Sequence, residues 1–440
     1  MARKPRPEGT RAPNGASSIY YGADGKWHGR VTMGVLDNGK PDRRHIKRGT
    51  EGEVITAVRD LERQRDSGKV KKAGRAWTFE MWLTHWVETI AAPSLRYKAA
   101  TSYRTAVYLH LIPGLGAHKI DRLAPEHFEK LYQKMLKTGR HKPSTIGQIH
   151  RTAITALNEA MRRRHVTENP AELARPPKVE ESEIEPFHED EIKRLVKTAL
   201  DRRNGARFVL ALALGTRQGE TLGLKWSRLD KSTRTIRITR QLQRQSWQHG
   251  CEDVAVCAAK HHKVKPCGKR CRHKRKPCPP PCPIECQGHA NKCPERIGGG
   301  LVEVEVKSSA GKRGIVLPDE LYELLIKHEA QQAAERETAG NEWHEGGWMF
   351  AQPNGLPIDP SNDRKDWKAF LTQAGVRDAR LHDARHTAAT VLLILGVPER
   401  AVMEFMGWSN IAMAARYMHV TAPVRRDVAR RINGFIWDGD

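Results

Sequence analysis

Leu301-Val-Glu-Val-Glu-Val-Lys307 alternates apolar and charged residues, and Lys312-Arg-Gly-Ile-Val-Leu-Pro318 follows it across Ser308-Ser-Ala-Gly311. Alternation with period two sends one set of side chains to a buried face and the other to solvent, which is the mark of a half-buried strand. The second run is expected to answer the first across that turn. Upstream, Thr235-Ile-Arg-Ile-Thr-Arg240 alternates in the same way. The rest of the stretch from Phe187 to about Ile436 carries apolar residues at helical spacing. The expected fold is mainly α with small β sections (α+β), the strands being embedded in a mostly helical last domain at residues 187–440.

Working outward, residues 175–186 are rich in proline and charge without apolar period, and are expected to be a linker. Residues 77–174 read as helices throughout. Trp82, Trp86 and Ile90 share one face, Tyr103, Val107 and Leu111 mark a second helix, and Phe128, Leu131 and Met135 a third. Pro113-Gly114-Leu115-Gly116 is expected to break between helices, and Ser144 to open a fourth. The aromatics are expected in the core, with Arg96, Lys98 and Arg104 as exposed cations suited to phosphate contact. Residues 17–70 hold short apolar runs punctuated by Asp24-Gly25 and Asn38-Gly39, two hairpin signals, then a helical stretch with Val54, Ile55, Val58 and Leu61. This predicts a three-stranded sheet plus one helix, with Arg30, Arg43, Arg44, Lys47 and Arg48 suited to phosphate contact. Residues 1–16 form a basic arm with no apolar core after its charges, so it does not read as a secretory signal.

Across 440 residues, 76 Lys+Arg against 51 Asp+Glu give a formal charge of +25. Such an excess is most simply tolerated when phosphates share the surface, so the expected partner is a polyanion. The longest apolar runs, Phe208 to Leu214 and Val391 to Leu395, are far short of the ~20 residues a membrane helix needs, and no membrane partner is expected.

Five segments of the last domain stand in a specific order: Gly215-Thr-Arg217-Gln-Gly-Glu220, the strand leading to Lys307, His382-Asp-Ala-Arg385-His386, Met406-Gly-Trp408-Ser409, and Ala415-Arg-Tyr417-Met-His419. This ordered set resembles the tyrosine recombinase, or phage integrase, family across essentially the whole chain. The family pattern is an Arg, a Lys on a β-hairpin, His-x-x-Arg, a His or Trp between Gly and Ser, and a Tyr about nine residues on. Arg217, Lys307, His382, Arg385, Trp408 and Tyr417 occupy those places, Trp408 standing where most members have His. The resemblance implies an arm-binding domain (17–70), a core-binding domain (77–174) and a catalytic domain (187–440) that cuts and rejoins double-stranded DNA at attachment sites. It also implies a synaptic homotetramer, an excisionase or host DNA-bending factor as accessory partner, and a place on the bacterial nucleoid in the cytoplasm. The alternatives are a type IB topoisomerase-like relaxing enzyme and a non-catalytic architectural DNA-binding protein.

The chemistry agrees without the name. Rejoining DNA without a nucleotide cofactor requires that the phosphodiester energy be stored in a covalent protein–phosphate bond. Tyr322 and Tyr417 are the tyrosines after the linker, and Tyr322 sits among Leu321, Leu324 and Leu325 on a helix face, so Tyr417 is the expected nucleophile. Arg217 and Arg385 would clamp the non-bridging oxygens, and Lys307, in competition with Lys312 and Arg313, would protonate the 5′-oxygen. His382 would accept the tyrosine proton or bond a phosphate oxygen. Trp408 has one donor and no acceptor, so it could bond phosphate or pack the site but not act as a base. For Glu220 the resemblance implies support of the Arg and His sites by hydrogen bonding, with a plain structural role as the alternative.

All eight cysteines, Cys251, Cys257, Cys267, Cys271, Cys278, Cys282, Cys286 and Cys293, fall within an insertion at residues 249–294 that also holds five histidines. A confined cluster in a reducing compartment suggests metal rather than disulfides, and eight thiols suffice for two four-ligand sites. Structural zinc is the expectation, with iron–sulfur or redox use and an unliganded basic loop as alternatives. No cofactor is expected for catalysis.

Overall fold

The computed structural model describes residues 17–35, 40–66, 77–180, 185–252, 257, 289–411 and 413. Tyr417, five of the cysteines, the basic arm and the segment 67–76 lie outside the described residues. The chain divides into two compact units, Met1–Glu181 and Ser182–Asp440.

In the first unit, β1 (Ser18–Tyr21), β2 (Trp27–Val35) and β3 (Pro41–Arg48) form an antiparallel sheet in that order. Val31 and Met33 of β2 point to one face, where Val54 and Val58 of α1 (Glu51–Asp66) cover them. Alternation therefore sends Arg30 to the other face. The register pairs Arg30 with His45, Thr32 with Arg43 and His28 with Lys47, so Arg30, Arg43 and Lys47 share that open face. Arg44 and Arg48 pair with Val31 and Trp27 and fall on the helix side, which divides the five cations that the sequence grouped together.

The helices of residues 77–173 are α2 (Phe79–His85), α3 (Tyr97–Ala106), α4 (Ile112–Leu115), α5 (Pro125–Lys137), α6 (Pro143–Arg162) and α7 (Pro170–Leu173). Trp82, Trp86 and Phe128 are buried as expected, and the Trp82 indole donates to the Ala156 carbonyl of α6 at 2.9 Å. The expected break over Pro113–Gly116 falls at its far end: the helical chain runs past Pro113 to Leu115 and turns at Gly116. Between α3 and α4 it widens to a π turn at Val107–Leu111, where the Ile112 N–H reaches back to Val107. That wider register lets the helix continue past a residue with no N–H to donate. Arg96 and Lys98 are exposed, but Arg104 is engaged by Glu88, Nη2 to Oε2 at 2.6 Å.

The second unit is built around α9 (Ala206–Leu214), which follows α8 (Glu189–Leu200) and buries every residue except Ala213. A helix apolar on all sides must be surrounded, and α8, α11 (Asp319–Ala339) and α13 (Leu381–Ile394) pack on it. The remaining elements are α10 (Gln218–Leu222), β4 (Leu229–Asp230), β5 (Thr235–Ile238), β6 (Arg240–Gln245), β7 (Gly300–Glu305), β8 (Arg313–Val316), α12 (Pro360–Gln373) and α14 (Glu399–Met406).

Here the hairpin expectation is corrected. β7 pairs with β6, from Arg240 opposite Glu305 to Gln245 opposite Gly300, while β8 pairs with β5 in a separate sheet ordered β4-β5-β8. The run read as one strand at 235–240 is two. Ile236 and Ile238 point into the core, and at Thr239 the chain leaves that sheet for the ribbon, its carbonyl accepting from Val306 N–H at 3.2 Å. β7 ends at Glu305, so Lys307 stands just beyond the strand. A short helical turn, Ser309–Gly311, then redirects the chain into β8.

Arg207 of α9 is buried, with Nε 2.8 Å from buried Asp363 and Nη2 3.1 Å from Asp366 of α12. Breaking a buried pair leaves an uncompensated charge and costs about 3–5 kcal/mol. Arg207→Ala is expected to lose that much in urea unfolding of the full-length protein, and Arg207→Ala with Asp363→Ala to lose less. A single-variant loss below about 1 kcal/mol, the range of an exposed pair, would show that the pair does not anchor α12.

Candidate active site

The α9–α10 junction is where the chain first presents functional groups. Arg217 precedes α10, and its backbone N–H donates to the Glu220 carboxylate at 3.0 Å. The same carboxylate takes the Arg217 side chain, Nη1 to Oε1 at 2.6 Å, and Arg313 of β8, Nη2 to Oε2 at 3.0 Å. Glu220 and Arg313 are buried whereas Arg217 is half-buried. Burial resists the charge on Glu220, but Arg313 first and Arg217 next outweigh it and hold the carboxyl below its ordinary range. A two-sided carboxylate therefore aims Arg217 from a fixed base, leaving that guanidinium partly open to a ligand.

His382 and Arg385 both come from α13. Asp383 caps that helix by accepting the Arg380 backbone N–H at 2.7 Å, which fixes His382 in the first turn, where free N–H groups favour an anion. Burial, then Arg385 and Arg217, depress the His382 imidazole below its usual value, so it is neutral near pH 7. His386 stacks edge-on to it at 4.7 Å and is pushed down to about 4, chiefly by burial.

Arg385 is buried, and its two terminal nitrogens donate to the carbonyls of Gly215 and Met406. It thus sews the loop before Arg217 to the end of α14. Trp408 is also buried, among Ala389, Val402 and Met406, with its ring centroid 5.8 Å from the Arg385 guanidinium carbon. Of its two expected uses, the structure displays packing: Trp408 is a wall behind Arg385. Gly407, just before it, has φ 64°, and a Cβ there would lie 2.9 Å from Arg313 and 3.0 Å from the Ala310 carbonyl. The turn after Lys307 is therefore pressed against Gly407, which ties the ribbon's end to the same locality.

Among the three competing cations, Arg313 is consumed by Glu220 and Lys312 pairs with Glu305 at 3.2 Å. Lys307 is exposed and has no ion pair or hydrogen bond among the described residues. Tyr322 packs against the core under the Arg234 guanidinium, at 5.1 Å, as its helix face implied. Arg313 as the second partner of Glu220 was not anticipated. Its signal lay in the alternation Arg313-x-Ile315-x-Leu317, which points the arginine inward beside two buried residues.

Residues 297–423 match the phage integrase family and residues 78–136 the SAM-like N-terminal domain of phage integrases. An integrase of Saccharopolyspora erythraea is 59% identical over 430 residues, spanning 97% of this chain and 98% of that protein. A XerC-like tyrosine recombinase of Caldanaerobacter subterraneus subsp. tengcongensis is 26% identical over 438 residues, spanning 95% and 99%. Among solved structures, the Tn1549 transposon integrase in complex with transposon right-end DNA shares the fold, with a TM-score of 0.60 at 17% identity over 81% of this chain and 99% of that one. The near full-length identity, together with the ordered Arg217, His382 and Arg385 about one locality, makes this chain a tyrosine recombinase of the phage integrase family, a site-specific DNA recombinase.

Proposed function

We propose that the protein integrates and excises a bacterial mobile element by cutting and rejoining DNA at attachment sites through a 3′-phosphotyrosine on Tyr417. The observation that carries the reading is the meeting of Arg217, His382 and Arg385 beside the ribbon end that bears Lys307, which is unpaired among the described residues. The Tyr417 oxygen attacks the scissile phosphorus, and neutral His382 takes the phenolic proton. Arg217, braced by Glu220, stabilises the charge that grows on the non-bridging oxygens. The 5′-oxygen leaves with a proton from Lys307, so the phosphodiester bond is exchanged for a phosphotyrosine bond and a free 5′-hydroxyl. The 5′-hydroxyl of the second duplex then attacks that bond, returns its proton to the lysine, and releases the tyrosine, whose oxygen takes its proton back from His382. Arg385 and Trp408 keep the two loops that carry this apparatus in place, and the resemblance to the family implies a tetramer on two synapsed duplexes.

Tyr417→Phe should bind DNA normally and form no SDS-stable protein–DNA adduct, and an adduct in that variant would move the nucleophile elsewhere. Arg217→Ala should slow cleavage by ~10²–10³ with little change in site affinity.

Lys307→Ala should be rescued by a substrate with sulfur at the 5′-bridging position, because a thiolate leaves without an acid. If sulfur instead rescues Lys312→Ala and not Lys307→Ala, the acid lies further along the chain.

The open face of the N-terminal sheet, with Arg30 and Arg43, supports a separate arm-type DNA site. Removing residues 1–70 should leave cleavage of a core-site suicide duplex intact while abolishing integration that depends on flanking arm sites. Equal integration with and without those residues would deny the arm site.

A further inference from the structure

Beyond the last rung of the β6–β7 ribbon the two strands stay together. Gln248 and Ile297 exchange two backbone hydrogen bonds of 3.0 Å, and Arg296 lies over the Trp247 ring at 4.7 Å. One residue past that rung stands His249, then Cys251 and Cys257, while Cys293 arrives on the returning chain, just after a short helical turn at Ala290–Lys292. Their ligand atoms, one imidazole nitrogen and three sulfurs, all lie within 4.8 Å of one another. From this the geometry points to a tetrahedral zinc site of one histidine and three cysteines that closes the far end of the ribbon.

Three details fit that ion. A tetrahedral centre with Zn–S of ~2.3 Å and Zn–N of ~2.0–2.1 Å sets its ligand atoms ~3.5–3.8 Å apart. His249 Nδ1 lies 3.6 Å from the Cys251 sulfur, which also identifies Nδ1 as the ligating nitrogen. Gly250 and Glu295 donate backbone N–H bonds to the Cys293 sulfur, which fixes the direction of that ligand. Gly250 allows this closeness, because a Cβ there would sit 2.0 Å from the Glu295 carbonyl oxygen. A disulfide would use two of the three sulfurs and leave a thiol and an imidazole facing it. Thiolate and imidazole together select zinc over magnesium or calcium.

The site has a structural task. Residues 258–288 carry nine Lys and Arg against the single acid Glu285, a like-charge excess that opposes bringing the two sides of the ribbon tip together. Holding Cys257 and Cys293 on one ion joins the two sides of the ribbon tip, and the metal's binding free energy becomes folding free energy for that tip. At the other end of the same ribbon, β7 runs into Lys307. This consequence for cleavage rests on the proposed role of Lys307, whereas the metal site does not.

Full-length protein purified under reducing conditions with zinc present tests the assignment by metal analysis and by peptide mapping of alkylated cysteines. Zinc content is expected to fall by about one ion per chain, the content of one four-ligand site, in Cys251→Ser and in Cys293→Ser, and by no more in the double variant. In the unsubstituted protein, Cys251, Cys257 and Cys293 should resist alkylation until a chelator is added, a readout that needs no variant to fold. Unchanged zinc in both variants, iron in its place, or equal alkylation with and without chelator would overturn the site. Cleavage of a suicide duplex, measured in parallel, should slow on zinc removal without being lost. Zinc bound as expected with cleavage unaffected would reject the coupling to Lys307 and leave the metal site standing.

Discussion

A single carboxylate, buried and charged, underlies the site. Glu220 is withdrawn from water, so its charge is tolerable only while Arg313 and Arg217 stay within hydrogen-bond reach. Those two arginines belong to elements far apart in the chain, the start of α10 and the strand β8. The carboxylate therefore fixes the α9–α10 junction to the β4-β5-β8 sheet and aims one guanidinium outward. If Glu220 were lost, two arginines close to one another would lack their counter-charge, and the clamp would drift along with the sheet behind it.

A second tie completes the frame. Arg385, from within α13, reaches the carbonyls of Gly215 and Met406, so the loop leading to Arg217 and the end of α14 are held by the same guanidinium. Its burial against Trp408 gives low-dielectric surroundings in which these hydrogen bonds are stronger than they would be in water. His382, one turn earlier on α13, takes its neutral state from that environment. A neutral imidazole can receive a proton, which an imidazolium cannot.

The ribbon adds a long lever to this compact frame. Glu303 of β7 is gripped by Lys225 at 3.0 Å and Arg228 at 2.5 Å, and Arg244 of β6 pairs with Asp359, which caps α12. The ribbon is thus fastened along its length to the body of the unit. Lys307 emerges where the fastening stops, and the turn behind it lies against Gly407. In the proposed reaction an acid on such a mount would reach a groove while its backbone stays registered to the Arg217 guanidinium.

Much of this was legible in the residues themselves. Periodicity disclosed the three-stranded sheet with its helix, the helices of residues 77–173 and the strand leading to Lys307, because each depends on which face of a local element is apolar. The ordered Arg217, Lys307, His382 and Arg385 could be picked out by their resemblance to the family pattern, and the structure brings Arg217, His382 and Arg385 to one locality. Pairing was not legible: alternation says that a strand has an inside, not which strand lies beside it, and so β7 was matched to β8 when its partner is β6. Nor could composition separate Arg313 from Lys307, two cations near one turn, one of which is neutralised by a carboxylate 93 positions away. The grouping of His249 with Cys251, Cys257 and Cys293 out of thirteen His and Cys in the insertion is of the same kind. Contacts between distant positions depend on how the chain folds back on itself, which no local pattern records, and for that reason the sequence determined the elements and the chemistry while the tertiary structure decided the partners.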